Sequence, residues 1–320
     1  MRRIVVLVIL GGVLLAAVAA FEPGLRPVER STVWSIGFCD VDDPLALDEC
    51  VADLEPALTA DMVTDADADF VADPFLVSDS TGQTVFFEIL NGDTGQGDIG
   101  VATSPDGEEW TYRGLALDEE FHLSYPRVFR HRGSWYMTPE SEQADRVALY
   151  RADTFPMEWE RVATLVEGED LADPTVFRHD GRWWMFVGAA ADHDRLRLFH
   201  ASDPEGPWKE HAKSPLIVDD AGVSRPAGGV VQRDGGLFRL AQDSEERYGR
   251  GVVGFEITEL TPTEYSERPL EGALLGPGPR EWNSLGMHHL DAVPLDGRWL
   301  VAVDGYEQPL TFRVPRPPGP

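Results

Sequence analysis

Asp173-Pro174-Thr175-Val176-Phe177-Arg178-His179-Asp180-Gly181-Arg182-Trp183 aligns without gaps on His289-Leu290-Asp291-Ala292-Val293-Pro294-Leu295-Asp296-Gly297-Arg298-Trp299, and both stretches end in Asp-Gly-Arg-Trp. The same opening recurs elsewhere. It is read in Asp73-Pro74-Phe75-Leu76-Val77, in Tyr125-Pro126-Arg127-Val128-Phe129 and in Arg225-Pro226-Ala227-Gly228-Gly229. Pro74, Pro126, Pro174 and Pro226 are 52, 48 and 52 residues apart. Self-similarity at a fixed period marks a repeat architecture.

Each opening is followed by a turn and an apolar strand: Val85-Phe86-Phe87, Trp135-Tyr136-Met137, Trp183-Trp184-Met185-Phe186, Leu237-Phe238 and Trp299-Leu300-Val301. A third strand follows at 99–103, 147–152, 196–201 and 252–257, and Trp110, Trp159 and Trp208 start a fourth. The apolar runs are short, β-branched or aromatic, and broken by Gly and Pro, which argues against helical repeats. Four antiparallel strands per repeat, arranged radially, make a propeller blade. The fold class is therefore all-β, a five-bladed β-propeller. The last repeat runs out after Leu310 to Val314, about three strands in. A ring must close to hide its edges, so Ser31 to Phe38 is expected to supply the missing outer strand of the fifth blade.

The chain has 320 residues, with 27 basic and 56 acidic side chains and a formal charge of −29. Such acidity excludes nucleic acid as a partner and disfavours electrostatic docking on anionic lipid. Lys209 and Lys213 are the only lysines, a surface suited to high salt, where screening relieves self-repulsion. Met1-Arg2-Arg3 precedes an apolar run from Ile4 to Phe21. Residues 1–21 read as a cleaved export signal or a retained anchor. Residues 22–314 are expected to form a single propeller and 315–320 a frayed tail. The protein is expected to be a monomer, secreted or anchored on the outer side of the cytoplasmic membrane, touching the membrane only through that N-terminal segment. Across an export signal, Cys39 and Cys50 read as one disulfide closing a short loop, with two buried thiols as the rival.

In a propeller the first strand of each blade lines the central channel. Its five beginnings, Asp73, Tyr125, Asp173, Arg225 and His289, meet at one mouth. The ends of the second strands reach the same mouth one layer out: Glu88 or Ile89, Glu140, Gly188, Gln242 with Asp243, and Asp304. Carboxylates gathered this way suit glycoside chemistry, in which one acid protonates the leaving oxygen and a second carboxylate attacks or activates water. Phe121, Tyr125, Tyr248 and Trp282 are aromatics for stacking on sugar rings. Asp-Pro pairs also cap turns, and the tryptophans read as blade packing. No cofactor is required. A channel cation near His289 is disfavoured, because adjacent histidines project differently along a strand. The Asp65-Ala66-Asp67-Ala68-Asp69 run lacks the glycine and glutamate of a calcium loop.

Phe70-Val71-Ala72-Asp73-Pro74-Phe75, Phe121 to Phe129, Tyr136-Met137-Thr138-Pro139-Glu140-Ser141, Gly206 to His211, Arg225-Pro226-Ala227-Gly228 and Met287-His288-His289-Leu290-Asp291 carry a family pattern. Over about residues 33 to 306 the chain resembles the propeller domain at the N-terminus of glucosamine inositolphosphorylceramide transferases. That domain is similar to the five-bladed arabinanase, levansucrase and invertase type of glycoside hydrolase. The resemblance implies Asp73 as base or nucleophile, Asp173 as transition-state stabiliser and Glu140 as acid. It also implies a carbohydrate or glycoconjugate as ligand, with Tyr125, Arg225, His289, His122, Glu88, Asp243 and Asp304 around it. Two departures leave the acid open among Asp243, Glu140 and His122. In the hydrolases the acid follows the middle-blade Asp, whereas Glu140 precedes Asp173, and the fourth blade carries Gln242-Asp243 in place of a Glu. A separate transferase domain is not expected, nor is transferase activity. The expected activity is glycoside hydrolysis. The alternatives are a non-catalytic glycan-binding module and a structural ring that scaffolds a partner.

Overall fold

A computed structural model describes residues 29–311. The expected export segment, the tail and residues 312–314 lie outside that range. Strand β1 (Glu29–Arg30) is followed by β2 (Val33–Val41) and a short helix α1 (Asp48–Asp53). Blade one comprises β3 (Ala68–Asp79), β4 (Gly82–Asn91), β5 (Gln96–Ser104) and β6 (Thr111–Leu117). Blade two comprises β7 (Ser124–His131), β8 (Ser134–Glu140), β9 (Arg146–Thr154) and β10 (Glu158–Glu167). Blade three comprises β11 (Ala172–His179), β12 (Arg182–Gly188), β13 (Leu196–Ala201) and β14 (Lys209–Glu210). Blade four comprises β15 (Val231–Arg233), β16 (Gly236–Asp243), β17 (Gly251–Leu260) and β18 (Tyr265–Leu275). Blade five pairs β19 (Leu290–Leu295) with β20 (Arg298–Glu307), and β2 joins β20 as its third strand. This is the five-bladed all-β propeller read from the repeats. The propeller unit is Trp34–Glu307; β1 pairs with the last strand, β21 (Leu310–Thr311), in a separate small unit.

The closure differs from the expectation in one respect. The N-terminal strand is the outer strand of the fifth blade, as expected, but that sheet has three strands and not four. Leu310–Thr311 leaves that sheet and pairs with Glu29–Arg30.

The turn chemistry explains the hairpins. Arg132-Gly133, Asp180-Gly181, Asp234-Gly235 and Asp296-Gly297 all have positive φ at both residues, the conformation that a two-residue hairpin requires. Between blades the core is aromatic and aliphatic. Phe129, Tyr136 and Leu149 of blade two pack on Val176, Trp183 and Met185 of blade three. The indoles of Trp159 and Trp208 donate to the carbonyls of Pro156 and Pro204, so these tryptophans do pack the blades. Cys39 and Cys50 form a disulfide that fastens the α1 loop to β2.

Near the axis, Asp73, Tyr125 and Asp173 share one unusual backbone state, with φ of 52°, 48° and 51°. Each precedes a proline, and each sits where the pairing register slips between the first and second strands. A non-glycine residue held there costs on the order of 1–3 kcal/mol and persists where its surroundings over-determine it. The bulge turns each side chain inward from its sheet.

Candidate functional site: two acid clusters at one mouth

Register places the second-strand ends beside these bulges. Glu88 lies opposite Ala72, Glu140 opposite Ser124 and Gly188 opposite Ala172. Glu88, not Ile89, is thus the equivalent of Glu140. A construction repeats at two blade junctions. The N–H of Asp173 donates to Glu140 Oε2 at 3.1 Å, and the N–H of Asp73 donates to Asp304 Oδ2 at 3.2 Å. In each case a carboxylate of one blade pins the strained residue of the next.

The first cluster joins blades two, three and four. Arg225 holds Asp173 with two bonds, Nε to Oδ2 at 2.5 Å and Nη2 to Oδ1 at 3.2 Å. Its Nη2 also reaches Glu140 Oε2 at 3.4 Å, and its Nη1 donates to His193 Nδ1 at 2.8 Å. Gln242 Nε2 donates to Asp173 Oδ2 at 3.2 Å. Burial would raise the Asp173 pKa, but the Arg225 guanidinium outweighs it and holds the group below the carboxylate range. Glu140 is pushed well above its ordinary value, first by burial and then by the charge of Asp173, against the pull of Arg225. The two carboxyls are pushed in opposite directions, a division typical of acid–base sites.

The second cluster joins blades one, four and five. Asp304 is fully buried; its Oδ1 accepts the N–H groups of His288 and His289, each at 3.0 Å. His288 Nδ1 lies 2.7 Å from Asp304 Oδ2, an ion pair when the ring is charged. His288 Nε2 is 3.0 Å from the Tyr248 hydroxyl and 3.8 Å from Asp73 Oδ1. Asp73 Oδ1 is buried and accepts no hydrogen bond. Asp73, His288 and Asp304 are the grouping among the described residues with the spacing for a cation, all within 4.8 Å. The N–H groups and imidazole already engage Asp304, so we read the group as a hydrogen-bonded cluster.

The other sequence-named residues separate by depth. Tyr125 and His289 are fully buried below the mouth. The Tyr125 hydroxyl contacts Thr175 Oγ1 at 2.8 Å, donates to the Gly228 carbonyl at 3.0 Å and accepts its N–H at 2.6 Å. His289 packs edge-on against Phe75 and Tyr125. Both therefore plug the channel. Glu88 faces His122 at 3.3 Å, and the other His122 nitrogen, Nδ1, accepts the Gly97 N–H. That acceptor bond favours a neutral His122 despite the pull of Glu88. Asp243 pairs with Arg250, away from Asp173. Trp282 is buried and donates to the Leu54 carbonyl; Phe121 is partly covered beneath Arg146. Of the four aromatics named for stacking, Tyr248 is the open one, 43% exposed, with its hydroxyl end turned into the cluster and its ring over Arg225. His193 was not named from the sequence. It stands in a loop between β12 and β13, where no repeat marks it.

The second cluster makes stability depend on pH. Burial alone would lower the His288 pKa, but Asp304 and then Asp73 outweigh it, against Arg225, and raise it to about 8. Folding thus favours the charged imidazole. Its contribution is complete below the unfolded value near 6.5 and is lost as pH rises through about 8, amounting to about 2 kcal/mol. The protein should melt roughly 4 °C lower at pH 9 than at pH 6.5. In His288→Gln that difference should vanish.

The fold is that of glycoside hydrolase propellers. A thermostable family-43 glycoside hydrolase superposes with a TM-score of 0.53 at 16% identity, over 65% of this chain and 77% of that one. The alpha-L-arabinanase of Cellvibrio cellulosa, complexed with arabinohexaose, gives 0.55 at 19%, over 74% and 87%. A family 117 glycoside hydrolase from Zobellia galactanivorans gives 0.52 at 12%, over 87% and 92%. The chain belongs to the family described as "Glucosamine inositolphosphorylceramide transferase 1, N-terminal", whose model matches residues 25–306. Glucosamine inositolphosphorylceramide transferase 1 of Oryza sativa subsp. japonica is 37% identical over 266 residues, 79% of this chain and 36% of the relative. That of Arabidopsis thaliana is 34% identical over 294 residues, 88% and 37%. The chain thus spans little more than a third of these relatives' length. No helix among the described residues is long and apolar enough to cross a membrane.

Proposed function

We propose that the mouth binds a carbohydrate and hydrolyses a glycosidic bond. The observation that carries this reading is the pair of unlike acids: Asp173 ionised against Arg225, and Asp73 with a free carboxylate oxygen in the neighbouring cluster. Asp73 attacks the anomeric carbon or takes the proton of an attacking water. Asp173 stabilises the oxocarbenium-like state, and Arg225 keeps it charged. Tyr248 offers a ring face for the sugar. Asp243 and His122 are engaged elsewhere. Glu140 is neutral, but the oxygen it turns toward Asp173 is taken by that residue's N–H. Glucosamine in the relatives' name makes glycosides of that sugar the first to try. The disulfide suits an oxidising compartment, in keeping with a place outside the cytoplasm.

The second reading is a glycan-binding module, favoured by the two bonds through which Arg225 occupies Asp173. A screen of glycans and aryl glycosides at high salt separates the two. Hydrolysis is expected, falling by about 10³-fold or more in Asp73→Asn and Asp173→Asn. Binding without turnover would select the module, and turnover that survives both changes would discard the assigned roles.

A further inference from the structure

We propose that the proton for the leaving group comes from Tyr248, replenished by His288, and that Glu140 acts by fixing Asp173. This rests on the hydrolase reading above. The geometry is a chain of three groups: Asp304 Oδ2 against His288 Nδ1 at 2.7 Å, then His288 Nε2 against the Tyr248 hydroxyl at 3.0 Å. Asp304 places the imidazole proton count. With Nδ1 facing a carboxylate and the ring charged, Nε2–H donates to the Tyr248 oxygen and leaves the phenolic hydrogen free for a further acceptor beside the cluster. Tyr248 is also the member of the chain that a ligand meets, at 43% exposure, whereas His288 is 3% exposed and Asp304 is fully buried. Glu140, at 9%, turns one oxygen to the Asp173 N–H and Arg225.

A phenol alone is a poor acid, and burial with the charges of Asp73, Asp173 and Glu88 makes this one poorer, against the pull of Arg225. It gives up a proton only if another arrives as the first departs. In the step, the Tyr248 hydrogen passes to the glycosidic oxygen as the bond from that oxygen to the anomeric carbon breaks. The His288 Nε2 hydrogen passes to the Tyr248 oxygen, leaving a neutral imidazole. Water adds to the anomeric carbon and its proton goes to Asp73. The site is restored when that proton leaves Asp73 and one returns through water to His288 Nε2, 3.8 Å from Asp73 Oδ1. One water is consumed, and no other reactant is needed. Tyr248 is the catalytic residue of the chain; His288 and Asp304 are positioning residues that act through it.

The test uses leaving groups that differ in their need for an acid, the phenyl and dinitrophenyl glycosides of the sugar found in the screen. Tyr248→Phe should lower kcat/KM for the phenyl glycoside by about 10²–10⁴-fold and leave the dinitrophenyl glycoside within a few fold. His288→Gln should show the same split, which a purely structural role would not produce, and the double variant should be no worse than either. Glu140→Gln should slow both substrates alike, through Asp173. A split in Glu140→Gln, or an equal loss on both substrates in Tyr248→Phe with an unchanged melt, overturns the proposal and leaves hydrolysis standing. Failure of the unmodified protein to turn over either glycoside overturns hydrolysis and this proposal with it.

Discussion

Arg225→Met is expected to melt about 6–20 °C lower than the unmodified protein and to lose ligand binding at the mouth. Arg225 faces Asp173 and Glu140, and all three side chains are buried. Removing the cation strands the Asp173 carboxylate, at 1% exposure, without a countercharge. Breaking one side of a buried pair costs about 3–5 kcal/mol, because the survivor has neither water nor partner. At this chain length each kcal/mol lowers the melting temperature by roughly 2–4 °C. Arg225→Lys keeps the charge but not the planar fork that bridges two oxygens, so it should recover only part of the loss. The sharper check is Arg225→Met combined with Asp173→Asn. With no charge left unpaired, the double variant should melt above Arg225→Met alone. Additive losses would mean that the pair is not coupled as described.

Asp304→Ala should be comparably severe, for a different reason. One carboxylate accepts the backbone N–H groups of Asp73, His288 and His289 and balances the His288 imidazole. Each buried donor left unmet costs about 1–3 kcal/mol, and the unpaired imidazole adds to that. The loss should exceed that of Glu140→Ala, since among the described residues Glu140 accepts a single backbone N–H. Amide exchange should rise at Asp73 and His288 before it rises in the outer strands. Uniform exchange across the ring would contradict this. Asp304→Asn keeps an acceptor oxygen and should sit between the two.

The ring was legible from Pro74, Pro126, Pro174 and Pro226 because the blade openings recur in phase, and in three blades the proline follows the same bulge. The hairpins were legible in Asp180-Gly181 and Asp296-Gly297, because few residues other than Gly, Asn and Asp accept positive φ. Register along a strand also carried Glu140 and Asp304 to one end. Depth was not legible. Tyr125 and His289 begin their strands as Asp73 and Asp173 do, yet they lie under the mouth. Ring size and packing against Phe75 decide that, and neither has a sequence period. Nor could the sequence pair His288 with Tyr248, which stands in a loop 40 residues earlier. Contacts between loops depend on how far each blade twists, which a repeat does not encode. The outer place of β2 was legible; that its blade stops at three strands was not, because the apolar pattern after Leu310 marks a strand without naming its partner, Glu29–Arg30.

That closure has a consequence for biosynthesis. Strand β2 is held by a partner made four blades later, so those blades must wait on the ribosome with an unsealed seam. Until Arg298–Glu307 emerges, the backbone groups of β2 have no sheet partner, and the nascent chain is open to strangers of its own kind. A break within Arg298–Glu307 would therefore not shorten the molecule slightly; it would leave the circle unsewn.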